Sequence, residues 1–105
     1  MTHQLANQTA LRDRVRAAGA VEIILGPFPR AFTDPAQIAL LTGLRDGLPP
    51  IAAPRYVALW DALAASDSAV RPQYAAGDGV HLNDQGHEVI AGKVLAMGAW
   101  EAVCP

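Results

Sequence analysis

The sequence predicts an α/β fold built on parallel strands, and three observations predict it. Helical and strand-like patterns alternate along the chain in the order α-β-α-β-loop-α, and such alternation implies parallel pairing through crossover connections. Both strand-like runs are apolar on consecutive residues, as expected of strands covered on both faces. The composition is globular, with 51% apolar and 17% charged residues in 105, enough for one small domain or part of a larger one.

Residues 3–18 carry a helical pattern, with Leu11, Val15 and Ala18 at i, i+4 and i+7 and Arg12, Arg14 and Arg16 turned elsewhere. Gly19 suits the position that ends a helix. Val21-Glu22-Ile23-Ile24-Leu25, closed by Gly26-Pro27, has the length and β-branching of a buried strand. Pro27 and Pro29 then make PFPRAFTD a loop. Asp34-Pro35 opens a second helix: Asp34 caps, Pro35 fits the first helical position, and Gln37 completes a capping-box-like spacing. Its stripe is Ile38, Leu41 and Leu44, with Leu40 and Leu48 beside it, and Gly47 and Pro49-Pro50 are expected to stop it. Arg55-Tyr56-Val57-Ala58-Leu59 reads as the second strand, running into a helical turn around Asp61–Ala65. Ser66 to Ala76 reads as polar and irregular. A last helix is expected from Asn83 or Asp84 to about Val103, burying Ile90, Val94 and Met97. Two parallel strands are a poor sheet, so the pattern expects neighbours that this sequence does not hold.

Charge and composition narrow the function classes. Eight Lys+Arg against ten Asp+Glu give a net charge of −2 with no basic stripe, so nucleic-acid binding has no electrostatic support. No apolar run reaches the roughly 18 residues of a membrane span. The opening MTHQLANQTALRDR lacks the apolar core of a secretory signal; the compartment is unassigned, since a signal could lie on an N-terminal part outside this sequence. Cys104 is the single cysteine and has no internal partner.

Residues with catalytic chemistry crowd together in one stretch, GDGVHLNDQGHEVIA, from Gly77 to Ala91. Asp78 and His81 lie three apart around Gly79. A carboxylate beside one imidazole nitrogen fixes the tautomer and frees the other nitrogen to take a proton from a nucleophile. Gly79 eases the tight turn that puts both side chains on one side. The same spacing also describes a plain Asp-Gly turn followed by a loop histidine, and spacing alone leaves both readings open.

The run Asp78-Gly79-Val80-His81-Leu82-Asn83-Asp84-Gln85-Gly86-His87 resembles the last block of the SGNH hydrolases, the GDSL esterases and lipases. That block pairs a DxxH motif with a helix opened by N-D-x-G-[HY]. The preceding order is similar too: a strand ending in G-P, a P-F-P-R loop, a helix and a strand. The resemblance covers nearly the whole chain, residues 1–105, as the C-terminal part of a single SGNH domain. It implies a three-layer, flavodoxin-like α/β fold of which the chain holds the last two parallel strands and their helices. It implies ester hydrolysis by a Ser-His-Asp triad on a small-molecule ester, with no metal or organic cofactor. Asp78 matches the aspartate that orients the histidine, and His81 matches the general base. Asn83 and Gly86 match the positions that open the helix, and His87 reads as structural.

The chain departs from the family where the nucleophile should be. No G-D-S-type block occurs, nor the glycine and asparagine that complete the oxyanion hole. Ser66 and Ser68 are the only serines, in a polar ASDSAV stretch without the strand-turn-helix setting of a nucleophile. The chain alone is therefore expected to be inactive. A metal site of Asp78, His81 and His87 explains Asp78 less well than a triad does. His3 and Arg30 read as exposed, Trp60 and Trp100 as packing residues, and Cys104 lacks an adjacent base. The competing expectation is a non-catalytic α/β remnant or interaction module, self-associating through an exposed strand edge.

Overall fold

The computed structural model describes residues 2–98. The chain is α/β. The elements are α1 (Thr2–Ala17), β1 (Ile24–Leu25), α2 (Pro35–Ala52), β2 (Tyr56–Val57), α3 (Trp60–Leu63), β3 (Ala64–Ser66), β4 (Ala69–Val70), a 3₁₀ turn (Pro72–Tyr74) and α4 (Asp84–Ala96). β1 and β2 pair in parallel, Ile24 with Tyr56 and Leu25 with Val57. The expected strands are present but shorter than their apolar runs. Among the described residues no helix is long and apolar enough to cross a membrane.

Side chains alternate across a strand, so each face of the pair takes a different helix. Val57 joins Leu59, Leu63 and Leu82 in the buried core, and Ile23, Val89, Ile90, Val94 and Met97 pack against it. The α4 stripe is thus the expected one. Tyr56 takes the other face of β2, the strand that meets α2. Gly26 follows β1 beside the Tyr56 ring, where a Cβ would collide with the phenol.

α1 ends as Gly19 predicts. Gly19 has φ 79°, its N–H donates to Arg16 O at 3.0 Å, and Ala20 N–H donates to Val15 O at 3.1 Å, the paired bonds of a Schellman cap. The inward face differs from the expected stripe. Leu11 is 55% exposed and Ala18 is exposed, while Leu5, Gln8, Thr9 and Arg12 turn inward with Val15. The reason is the partner: Leu5 lies over Gly47 of α2, where a Cβ would come within 2.7 Å of it. A polar helix is positioned by that contact rather than by its own amphipathicity.

α2 overruns its expected stop. Pro49 and Pro50 lie inside it, although each proline lacks the N–H that would bond the carbonyl four residues back. Two features offset the loss. Leu48 and Ala52 are buried, and α1 caps the end: Arg12 Nη1 donates to Ile51 O and Arg16 Nη2 donates to Ala53 O, both at 3.1 Å. Cations at a helix C-terminus also complement its dipole. Gly47 is a packing position and not a terminator. At the start, Asp34 accepts from Ala36 N at 2.9 Å, as its capping role requires.

The 66–76 stretch is more ordered than expected. β3 and β4 form a short antiparallel hairpin, tied to α3 by Arg71 N–H donating to Leu63 O at 2.7 Å. A two-residue turn at Asp67-Ser68 lacks the glycine that would have announced it. α3 begins one residue earlier than read and ends at Leu63. α4 stops at Ala96, with Gly98 at φ 69° beyond it, whereas the pattern carried it to Val103. Trp60 is buried, with the Arg45 guanidinium 4.9 Å from its ring centroid. Trp100 and Cys104 lie outside the described residues.

Leu63 is fully buried at the centre of the core. Leu63→Ala should cost about 2–5 kcal/mol, read as a lower urea midpoint. Leu11→Ala, on the exposed face of α1, should stay within about 0.5 kcal/mol.

Candidate active site

The Gly77–Asn83 loop is closed at its base and held at its tip. Ala75 and Leu82 form an isolated antiparallel bridge. Ala76 N–H donates to His81 O at 3.0 Å, and Asn83 N–H donates to Tyr74 O at 2.9 Å. Asn83 then caps α4, its side chain accepting from Gly86 N at 3.0 Å while Nδ2 donates to Gln73 O at 2.9 Å. Gly86 is buried, and a Cβ there would come within 2.9 Å of both Tyr74 O and Leu82 Cβ. Asn83 caps and Gly86 packs closely, the roles expected of them.

Within that frame Asp78 uses both oxygens. Oδ1 accepts from Val80 N at 2.9 Å and from His81 N at 2.7 Å. Oδ2 lies 2.5 Å from His81 Nδ1. Gly77 (φ 99°) and Gly79 (φ 78°) take left-handed backbone on either side, which side chains resist. The hydrogen bond to the imidazole and the two backbone amides hold the Asp78 carboxyl well below the usual carboxylate range. An ionised Asp78 can only accept, so the proton between it and the ring sits on Nδ1, leaving Nε2 for other chemistry. The imidazole side chain is 76% exposed and Asp78 49%. The ring is neither buried nor turned from the carboxylate.

The tip is fixed from a distance. Ala31 N–H, in the loop after β1, donates to Gly79 O at 2.9 Å, and a Cβ on Gly79 would meet the Ala31 side chain at 2.9 Å. Gly79 therefore serves an approach as well as a turn. Spacing within 77–91 could not reveal this partner. The proline-punctuated loop was the only signal of it. Beside His81 lies a cavity of about 120 Å³ lined by Ala31, Ala69, Val70, Ala75, Gly79 and Val80.

The other candidates fall elsewhere. Arg30 is exposed and lines a larger cavity of about 380 Å³ with Phe32, Leu40, Leu41 and Leu44, which neither Asp78 nor His81 touches. Ser66 and Ser68 lie at the hairpin turn, Ser68 N–H donating to Ser66 Oγ at 3.3 Å. Among the described residues no hydroxyl is hydrogen-bonded to the His81 ring. His3 is exposed on α1, and His87 is exposed in the first turn of α4. Among the described residues no three His, Cys, Asp or Glu converge as metal ligands, so Asp78, His81 and His87 do not form such a group.

Comparison of the chain with protein-family models, curated proteins and solved structures finds no match.

A depressed carboxyl pKa stabilises the fold above the unfolded value, near 3.9 for aspartate, and that stabilisation is lost as pH falls below it. Acid should therefore release the Val80 and His81 amides only below the ordinary carboxylate range, seen as an NMR shift change. Asp78→Ala should release both amides at neutral pH. Asp78→Asn should keep the turn but reverse the ring tautomer, because its amide N–H would donate to Nδ1.

Proposed function

We propose that this chain is the C-terminal portion of a serine ester hydrolase of the SGNH class, contributing the aspartate and histidine of its triad. The observation that carries the reading is the 2.5 Å contact of Asp78 Oδ2 with His81 Nδ1 beneath an open imidazole. The DGVHLNDQGH run and the order of elements before it support it too. In the finer form of this reading, β1 and β2 are the last two strands of a three-layer, flavodoxin-like sheet. The serine and the oxyanion-hole groups come from a segment outside this sequence.

In this reading each group has a stated role, which the Asp78–His81 contact supports. Asp78 holds the ring with Nδ1 protonated and offsets charge as the ring becomes imidazolium. His81 Nε2 takes the proton of the serine hydroxyl as its oxygen attacks the ester carbonyl. It then returns that proton to the departing alkoxide, leaving an acyl-serine. Water attacks next as His81 takes its proton, the carbon–Oγ bond breaks, and His81 returns the proton to Oγ, so the acid leaves with serine and imidazole regenerated. The substrate class is carboxylic esters: lipid, acyl or acetylated sugar esters.

This chain alone should not turn over alkyl esters. Joined in cis or in trans to a segment carrying a G-D-S block, it should do so. His81→Ala should then lower kcat by about a thousandfold or more, and Asp78→Asn by about 10⁴-fold. Turnover surviving in His81→Ala would remove that residue from the mechanism.

A second reading is a non-catalytic module that pairs with its own copy through a sheet edge. Ile24 and Gly26 direct their N–H groups to β2, so the Leu25 N–H faces the outer edge, where no strand pairs among the described residues. Leu25 is also 46% exposed. An unblunted edge of this kind is a template for another strand. Size-exclusion chromatography should then give a species of twice the 11.0 kDa chain mass. A monomer at all concentrations would reject that reading.

A further inference from the structure

We infer that the cavity beside His81 is the acyl subsite, and that it selects short acyl groups of the acetyl and propionyl class. The inference rests on the hydrolase reading and names its substrate. The cavity belongs to the site because His81 itself lines it. Its walls are small and apolar: Ala31 from the loop after β1, Ala69 and Val70 from the hairpin, Ala75 before the site loop, and Gly79 and Val80 within it. No side chain with a polar group other than His81 lines it, so it suits a hydrocarbon end and offers a hydroxylated leaving group no side chain to bond.

Size sets the selection. The volume of about 120 Å³ falls well short of the roughly 300 Å³ at which sites for drug-sized ligands begin, which suits a short acyl group such as acetyl or propionyl. The lining is held in place: Val70 packs against the buried core, and the Ala31–Gly79 hydrogen bond ties the loop after β1 to the site loop. A longer chain cannot enlarge the cavity without breaking one of these contacts.

The chain itself can be tested with activated esters, which need no serine. His81 Nε2 attacks the carbonyl carbon of a 4-nitrophenyl ester. The carbon–oxygen bond breaks with its electron pair leaving on 4-nitrophenolate, and the ring, still protonated on Nδ1, carries the acyl group as an acylimidazolium. Water then attacks that carbonyl, the carbon–nitrogen bond breaks with its electron pair returning to Nε2, and carboxylate, two protons and free imidazole result. The rate of 4-nitrophenolate release is measured with acetate, butyrate and hexanoate esters. The His81→Ala rate is subtracted, and each value is divided by that of free imidazole. Acetate should exceed hexanoate at least tenfold, because one methylene in a tight apolar pocket discriminates by about tenfold or more. Val70→Ala should raise the butyrate value relative to acetate, and Ala31→Leu should lower the acetate value about tenfold, with circular dichroism confirming that each variant folds. If Val70→Ala does not fold, the chain-length series of the unmodified protein decides alone. Equal values for acetate and hexanoate would overturn the acyl-subsite assignment while leaving the hydrolase reading intact. No His81-dependent release with any ester would overturn the subsite together with the open imidazole on which that reading rests.

Discussion

The carboxylate of Asp78 is the constraint on which the site depends. One oxygen gathers two backbone amides and sets the turn, while the other engages the ring three residues on. The same group therefore builds the loop and orients the imidazole that the loop presents. Charge-assisted bonds of this kind are short and directional. They fix the ring on a largely exposed surface, where burial would otherwise have to do so. An orientation achieved without burial leaves Nε2 open.

The rest of the molecule serves that loop at two levels. Close by, Asn83 ends the loop and starts α4 in one residue, and Gly86 lets the helix seat against Tyr74 and Leu82. Further away, β1 and β2 set the height of the loop after β1, whose Ala31 amide reaches Gly79. A short parallel pair suffices because helices lie on both faces and Leu59 and Leu63 extend the core beyond the strands. Among the described residues the outer edge of β1 pairs with no strand, and Leu25 on it is exposed. The α/β class and the parallel pairing are those that the alternation of helix and strand patterns predicts.

Helix ends were legible where one residue decides them. Asp34, Gly19 and Asn83 act through bonds to groups two to five residues away, and chain geometry makes those contacts whatever the rest of the fold does. The prolines of α2 were misleading for the converse reason. Their local cost is real, but guanidinium groups of α1 bond the carbonyls at that helix end and Leu48 and Ala52 anchor it. Leu11 likewise looked like a core residue by periodicity, yet α1 meets α2 along another face because Gly47 admits Leu5. Periodicity gives the spacing of a face and not the identity of its partner.

The sequence by itself determined the chemistry of the site: an aspartate, a glycine and a histidine at a spacing that lets the chain fold back on itself, followed by a residue that caps a helix. Those interactions span three residues, so local covalent geometry is sufficient for them. Tertiary structure alone decided the surroundings of the ring. The small cavity draws on positions 31, 69–70, 75 and 79–81, which only chain closure brings together. Its volume depends on how far apart packing holds those backbones, a distance that no pattern along the chain encodes.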